Sequence, residues 1–265
     1  MKITPPLALC AFAVAAGAFA PAALAQDASE QRRTRVALGP QLVPSYPGSD
    51  SVSLRPFIDL SRTRGDTPFE FEAADESFGF PLLRHEGFAI GPSLGFQGSR
   101  TAKDVGAPVA KVRTTFEAGG FVQYQLTPSL RARAELRKGI GGHKGWIGTV
   151  GADYVARDAD QWLFSVGPRV TIGDDRYHRA YFGVSAADAQ ATGLPRFVAQ
   201  GGVQAVGLTT GLIYQFTPTW GISSYAKYDR LVGDAADSPI VRRFGSRNQF
   251  SGGLALTYTF GANRD

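Results

Sequence analysis

The sequence predicts an all-β protein: a single closed antiparallel transmembrane β-barrel of about twelve strands, with ten as the alternative. Segments of about ten residues alternate between apolar and polar side chains, with aromatic residues near their ends. An apolar stretch suited to export precedes them, and tight turns alternate with long loops. A soluble β-sandwich also alternates. The aromatic belts and the export segment together favour the barrel over the sandwich.

Residues 250–260 show the alternation most clearly. One face is apolar with Phe250 and Phe260 at its ends, and the other face is small and polar. Ten residues at about 3.3 Å each, tilted by about 40°, rise roughly 25 Å, the height of the apolar band of an outer-membrane barrel. Residues 220–229 alternate in the same way, and a turn at Thr217-Pro218 precedes them. We therefore expect a closing hairpin with its apolar face in lipid.

The N-terminus predicts export. Lys2 precedes an apolar run from Leu7 to Phe19, and Ala23-Leu24-Ala25 has the A-x-A form of a signal-peptide cleavage site. We expect a signal peptide over residues 1–25 and a mature barrel domain over residues 26–265. The single cysteine, Cys10, lies inside the signal peptide, so the mature chain has no disulfide and no thiolate metal site.

Charge and hydropathy argue against a nucleic-acid-binding protein and against a protein with a membrane-spanning helix. Removing residues 1–25 takes away one lysine, so the formal charge falls from +5 to +4. This small excess is spread along the chain and does not predict nucleic-acid binding. No later segment approaches eighteen consecutive apolar residues, so we expect no membrane-spanning helix.

Eleven strands follow from the alternation, although a barrel with both ends in the periplasm needs an even number. The missing strand lies at residues 177–184, or the first segment is misassigned. Besides the closing pair, the predicted strands are residues 35–43, 54–60, 69–73, 88–97, 114–126, 130–137, 146–154, 162–172 and 206–216.

The connections differ in length in a regular way. Tight turns are expected at residues 126–128, 157–160 and 216–218. Longer loops with glycine and charge are expected at residues 98–111, 138–145, 173–200 and 233–248. Short turns on one side and long loops on the other are typical of outer-membrane barrels. The protein is accordingly placed in the outer membrane, in contact with its lipids.

Charged residues alternate with apolar ones on several strands and are expected to face the lumen. They leave two interpretations open: a water-filled pore lined by mixed charge, or cross-strand pairs that hold the wall shut. Arg131, Arg133 and Glu135 are the candidates for recognition in the lumen. The full set is Arg55, Arg131, Arg133, Arg137, Arg169, Lys227, Asp59, Glu70, Glu72, Glu117, Glu135, Asp153 and Asp229.

No motif predicts catalysis or a cofactor. His85, His143 and His178 have no metal-ligand spacing, and neither a P-loop nor a dinucleotide-binding motif occurs. Some outer-membrane barrels are hydrolases, but the spacing of His143 and His178 from Asp174 and Asp175 gives no nucleophile–base pair. We expect no enzyme, no cofactor and no metal site. His143, in a glycine-rich turn, remains a candidate recognition residue.

The loop at residues 233–248 is the most sharply patterned connection. Asp234, Asp237 and Ser238 suit turns, because Asp and Ser side chains bond to nearby backbone amides. Ile240 and Val241 are apolar and are expected to fold back toward the barrel mouth. This loop is predicted to constrict the lumen or to recognise a partner.

Several motifs together resemble the MipA/OmpV family of outer-membrane proteins, and they cover nearly the whole mature chain. They are Tyr46-Pro47-Gly48-Ser49-Asp50 with Arg55-Pro56, Gly141-Gly142-His143-Lys144-Gly145, Asp174 with Tyr177 and Tyr181-Phe182-Gly183-Val184, Gly233-Asp234-Ala235-Ala236-Asp237-Ser238-Pro239-Ile240-Val241, and Gly245-Ser246-Arg247-Asn248-Gln249.

The resemblance implies a non-enzymatic barrel without catalytic residues. Its name-giving member is taken to be a scaffold that joins a lytic transglycosylase to a murein synthase. We therefore expect a binding protein linked to peptidoglycan synthesis and remodelling, with a periplasmic murein hydrolase and a murein synthase as partners. A small-solute pore, a surface adhesin and a stress-response protein are the alternatives.

Overall fold

The structure is a computed structural model that describes residues 31–262; the predicted signal peptide lies outside these residues. Twelve strands and five short helices form the described part. The strands are β1 (Arg32–Pro44), β2 (Val52–Arg64), β3 (Phe78–Gly79), β4 (Leu83–His85), β5 (Phe88–Gln97), β6 (Thr115–Thr127), β7 (Leu130–Gly141), β8 (Trp146–Asp158), β9 (Trp162–Gly173), β10 (Gly202–Gln215), β11 (Trp220–Leu231) and β12 (Asn248–Phe260). The helices are α1 (Ala102–Val105), α2 (Asp175–Phe182), α3 (Ala186–Thr192), α4 (Gly233–Asp237) and α5 (Pro239–Phe244).

One antiparallel sheet contains all the strands, in the order β2-β1-β12-β11-β10-β9-β8-β7-β6-β5-β3, with β4 also on β5. The first and last long strands pair, with Thr34 opposite Phe260 and Leu42 opposite Gly252. The sheet curls, because Arg33 of β1 reaches Asp160 between β8 and β9 at 2.9 Å. Tyr225 of β11 likewise donates to Gln41 of β1 at 2.5 Å.

The two faces of the sheet have opposite chemistry. Leucine, phenylalanine and valine side chains are exposed on the outside; Leu54, for example, is 72% exposed. Charged side chains are buried on the inside, where Arg131 is 1% exposed. This reverses the arrangement of a soluble protein and suits a sheet whose outer face contacts lipid. The predicted faces of the strands are confirmed.

Short and long connections lie at opposite ends of the strands. Tight turns join β6 to β7, β8 to β9 and β10 to β11, as predicted. All five helices lie in the long connections at the other end of the strands: α1 between β5 and β6, α2 and α3 between β9 and β10, and α4 and α5 between β11 and β12. No helix within residues 31–262 is long and apolar enough to cross a membrane.

Two predicted strands are wrong. Residues 177–184 form most of helix α2, because Asp174 caps its N-terminus and Tyr177 and Tyr181 lie one turn apart on its buried face. Residues 69–73 form no strand; Phe69 turns inward and is 2% exposed. The predicted total of twelve agrees with the described strands, but ten of them are long, and β3 and β4 have only two and three residues.

The chain enters the interior between β2 and β3. Strand β2 ends at Arg64, residues 65–77 cross the space inside the sheet, and β3 then joins the wall beside β5. Strands β3 and β4 form one interrupted strand along β5, because Phe78 pairs with Leu94 and Leu83 with Ile90. Within the described residues, the hydrogen-bonded ladder ends at β2 on one side and at β3 and β4 on the other.

Candidate functional site

The interior holds residues 65–77, which we call the inner segment. Gly65 starts it with a backbone φ of 53°, in the left-handed region that favours glycine. Arg33 donates to the carbonyl oxygens of Gly65 and Thr67 at 2.8 and 2.7 Å. The guanidinium groups of Arg33 and Arg35 lie 5.2 and 4.5 Å from the centre of the Phe69 ring. Cation–π contacts with the wall therefore hold the beginning of the segment.

Asp75 is the central contact of the inner segment. Arg169 of β9 donates to its two carboxylate oxygens at 3.1 and 3.2 Å. Thr209 of β10 donates at 2.9 Å, and the Lys227 ammonium of β11 lies 3.2 Å away. One carboxylate thus joins three neighbouring strands. Its side chain is 6% exposed.

Glu76 and Ser77 make the matching contacts with β7, two strands along the wall from Arg169. Glu76 forms an ion pair with Arg131, and it lies 3.6 Å from Arg133. Ser77 donates to Glu135 of β7 at 2.6 Å. The inner segment thus contacts β1 through Phe69 and β7 through Glu76, six strands apart in the sheet, so it crosses the lumen.

The wall charges continue the same network. Asp153 accepts from Arg131 at 2.9 Å and from Arg169 at 2.7 Å. Arg137 donates to Glu117 at 2.9 Å and also pairs with Glu135. The predicted lumen residues Arg131, Arg133 and Glu135 all lie in this network. Each charge named in this network has an opposite partner, as a group removed from water requires.

His143 lies at the upper end of the network and is 3% exposed. Its Nδ1 accepts from the Gly145 amide at 3.1 Å, which places the ring proton on Nε2. Nε2 then donates to Glu117 at 3.1 Å. The ring packs edge-on against Tyr177 of α2, with centroids 4.9 Å apart. His143 thus connects the charged lumen to the helices above it.

Those helices and their loops form a cap, which we define as residues 45–51, 98–114, 174–201 and 232–247. Two apolar clusters hold it together. Ile240 and Val241 are 1% and 2% exposed, which confirms that they fold back. Ile240 packs in the cluster with Tyr46 and Val184, and Val241 in the cluster with Tyr181. The loop at residues 233–248 is therefore one part of a larger packed layer.

The predicted polar residues of that loop have structural contacts. Ser238 is fully buried; it caps α5 and donates to the Phe182 carbonyl of α2 at 2.7 Å. Asp234 accepts from the Gln200 amide at 2.7 Å. Asp237 is exposed and lies 3.2 Å from Arg247. These three residues are in the cap, separate from Arg131, Arg133 and Glu135 in the lumen.

Burial keeps the aromatic side chains of α2 uncharged. Burial raises the pKa of Tyr177 and of Tyr181 above the usual value, and the nearby Glu117 charge adds to both shifts. Burial also lowers the pKa of His178, which is 1% exposed. The layer between cap and lumen is therefore apolar, and it separates the lumen charges from the outside.

Asp75 and Glu76 were missed by the sequence analysis, which placed the preceding residues in a strand. The amino-acid composition of residues 70–76 could have indicated that they are not part of a wall strand. Residues 70–76 contain four acidic side chains and no basic one, whereas the wall strands mix both signs. A segment with only negative charges is better suited to insertion between strands that carry arginine and lysine than to a place in the wall.

The site contains no cluster suited to a metal: within residues 31–262, no group of three or more His, Cys, Asp or Glu side chains is arranged to hold an ion. An antiparallel sheet with lipid-facing apolar side chains outside and paired charges inside defines an outer-membrane β-barrel protein.

The family is shown by sequence. The family described as MltA-interacting protein MipA matches residues 36–260, and the chain belongs to this family. No curated protein matches the chain.

Solved outer-membrane proteins show weak similarity. The N-terminal β-barrel domain of Pseudomonas aeruginosa OprF has 13% identity and a TM-score of 0.28, covering 66% of this chain and 98% of that chain. Neisserial surface protein A has 13% identity and a TM-score of 0.30, covering 66% and 97%. OmpT of Vibrio cholerae has 8% identity and a TM-score of 0.35, covering 87% and 97%.

Proposed function

We propose that this protein is a non-enzymatic scaffold of the outer membrane, whose barrel is closed and whose lumen is sealed. In this proposal it presents its periplasmic end to a murein hydrolase and a murein synthase. The observation that carries the proposal is the inner segment, which contacts β1 through Phe69 and the distant strands β7 and β9 to β11 through Glu76 and Asp75. A transport pore needs an open path, and this segment lies across it.

Two layers support the sealed lumen. The ion pairs around Asp75 and Glu76 fill its middle, and the apolar clusters of the cap cover the end with the long loops. Side chains in both layers are almost fully buried; Arg131 is 1% exposed and Tyr181 is 0% exposed. Passage of a solute requires the rearrangement of one layer or both.

Closure of the barrel follows from the membrane environment. An unpaired strand edge leaves backbone N–H and C=O groups without partners, which costs several kcal/mol per group in lipid. The free edges of β2 and of β3–β5 are therefore proposed to meet in the membrane. The position of Arg55 on β2 supports this, because its side chain lies close to Gly98, just beyond the end of β5. Its Nη2 is 3.1 Å from the position that a Cβ atom on Gly98 would occupy.

The proposed partners follow from the family and from the end of the barrel with the short turns. The family description names an interaction with MltA. Short turns lie on the periplasmic side of outer-membrane barrels. At that end lies an open cavity of about 430 Å³ whose lining includes Arg33, Asp160, Gln161, Gln215 and Thr217. These groups can donate to and accept from the backbone of a docked protein.

The environment of His143 supports the absence of catalysis. Both ring nitrogens are engaged, Nδ1 by the Gly145 amide and Nε2 by Glu117. A general base needs a nitrogen free to take a proton from a nucleophile. His143 therefore orders the interior and does not activate a nucleophile.

Chemical cross-linking in membranes, followed by purification of this protein, tests the scaffold. We expect murein enzymes to co-purify with the wild type and to be reduced several-fold by Gln161→Arg in the periplasmic cavity. Arg242→Ala, an exposed change in the cap, is the matched control and should retain them. Absence of murein enzymes from the wild-type sample would overturn the proposal.

A further inference from the structure

The outer face of the sheet has a groove that neither the scaffold role nor the sealed lumen requires. It extends over β5 to β9 and has a volume of about 660 Å³. Its lining is apolar where it faces lipid, with side chains of Ile90, Val122, Leu136, Trp146, Val150 and Ile172.

Glycine creates the groove. In the row of residues that crosses the strands, Gly120 pairs with Leu136, and Leu136 pairs with Gly148. Leu136 therefore has no side chain beside it on either neighbouring strand. Ala134, two residues before Leu136 on the same face, is also small. The two glycines and Ala134 therefore leave a shallow apolar depression around Leu136 on the outer face.

A single charge lies at the upper end of this groove. Lys138 follows Leu136 by two residues, so it points to the same outer face. It pairs with Ala118 on one side and with Trp146 on the other. Its ammonium lies 5.1 Å from the centre of the Trp146 ring, and Trp146 lines the groove.

Apolar side chains surround Lys138 along its own strand. Leu136 before it and Ile140 after it are 53% and 63% exposed on the same face. A cation among lipid-facing residues is costly unless an anion or the headgroup layer solvates it. The tryptophan ring covers one side of the ammonium, and the other side is left for a negatively charged group.

We propose that the groove binds lipid A of the outer leaflet: one acyl chain lies over Gly120 and Gly148, and a phosphate contacts Lys138. The end of the barrel with long loops faces the outer leaflet, which fixes the lipid class. Lys144 and Arg113 are exposed just beyond the strand ends. They add positive charge for the lipid headgroup.

Two acids border the groove, and neither opposes this assignment. Glu135 faces the lumen, where it pairs with Arg137. Asp174 lines the groove, but its Oδ1 accepts from the Tyr177 amide at 2.8 Å and caps α2. The helix N-terminus partly offsets its charge. The local balance at the groove therefore remains positive.

Native mass spectrometry of the purified full-length protein with added lipid A tests the proposal. Lys138→Gln removes the charge and should weaken binding about tenfold, the effect of losing one charge-assisted contact. Gly120→Leu fills the groove and should weaken binding by a similar factor. The outer-face controls are Arg230→Gln and Ala226→Leu on β11, away from the groove, and both should bind as wild type.

Binding measurements with three other compounds identify the ligand. Dephosphorylated lipid A should bind the wild type as weakly as phosphorylated lipid A binds the Lys138→Gln variant. Inorganic phosphate and phosphatidylethanolamine should not displace lipid A. Displacement by either compound, or unchanged binding in Lys138→Gln, would overturn the assignment. If Gly120→Leu does not fold, Lys138→Gln and the dephosphorylated lipid still decide the question.

Discussion

Asp75 shows how a single residue determines the state of the lumen. Its carboxylate contacts Arg169, Thr209 and Lys227, which lie on three strands. Replacing Asp75 takes one anion from Arg169 and one from Lys227, which keep Asp153 and Asp229 as their remaining partners. The residue therefore links the stability of the barrel to the position of the inner segment.

Asp75→Ala should lower the free energy of unfolding by roughly 1.5–3 kcal/mol, because Arg169 and Lys227 lose their shared anion but keep Asp153 and Asp229 as partners. Chemical denaturation in detergent, followed by tryptophan fluorescence, measures the change. Glu72→Ala is the matched control, since Glu72 is an exposed acid on the same inner segment. Equal losses in the two variants would mean that the Asp75 contacts are not specifically stabilising.

Ser238 has a comparable role in the cap. Its hydroxyl donates to the Phe182 carbonyl and accepts from the Val241 amide at the start of α5. Ser238→Ala should cost about 1–2 kcal/mol of local stability, the usual effect of losing a helix cap. We expect faster proteolysis after Arg242 or Arg243. Asp237→Ala, which removes only an exposed ion pair, should be cut at the wild-type rate; similar rates in both variants would contradict the role of Ser238.

At the scale of elements, the sequence predicts the wall strands well and the inserted segments poorly. Period-two alternation predicted β1, β2 and β5 to β12, because each wall strand separates lipid from lumen and that contrast is visible in the residues themselves. Helix α2 and the inner segment contact other parts of the protein on several sides. Their faces depend on tertiary neighbours such as Arg33 above Phe69, so a local pattern does not define them.

The candidate site divides in the same way. Arg131, Arg133 and Glu135 were predicted to face the lumen because they alternate with apolar residues on β7, and they do so. Glu76, the partner of Arg131 and Arg133, is more than fifty residues away in sequence, and no spacing rule connects it to them. His143 was identified as a residue of interest, but its contact with Glu117 depends on the register between strands and could not be derived from sequence.

Asp188 of helix α3 makes the stability of the cap depend on pH. Burial raises the pKa of Asp188, but hydrogen bonds from Ser185 and the Ala110 amide and the charge of Arg100 outweigh it, so the folded pKa is lowered. A lowered pKa contributes stability that is complete above the unfolded value and is lost as pH falls through the folded value.

The contact between α3 and residues 98–114 should therefore begin to weaken as the pH falls below about 4, the ordinary pKa of an aspartate, and should be lost at lower pH, where Asp188 is protonated in the folded protein. Hydrogen exchange at the Ala110 amide, which donates to Asp188 at 2.7 Å, reports this contact. Asp188→Asn should exchange faster at neutral pH and lose the acid-dependent step. An identical acid-dependent step in wild type and Asp188→Asn would assign the effect to another group.

At the scale of the whole molecule, lipid outside and ion pairs inside act together. The exposed apolar residues require a membrane, and the buried charges require one another, so the sheet is stable only when curled with its charges inside. The inner segment completes this arrangement, because Asp75 and Glu76 are needed to balance Arg131, Arg133, Arg169 and Lys227. In the proposed function, the same segment that stabilises the wall also blocks the lumen.

Single-channel recording in planar lipid bilayers tests the sealed lumen most directly. We predict that the purified wild-type protein gives no stepwise conductance. Asp75→Ala combined with Glu76→Ala should give transient openings, because the inner segment loses its contacts with the wall, whereas Glu72→Ala should remain silent. Steady stepwise conductance from the wild type, with ion selectivity changed by Arg131→Glu, would contradict a sealed scaffold and identify the protein as a pore.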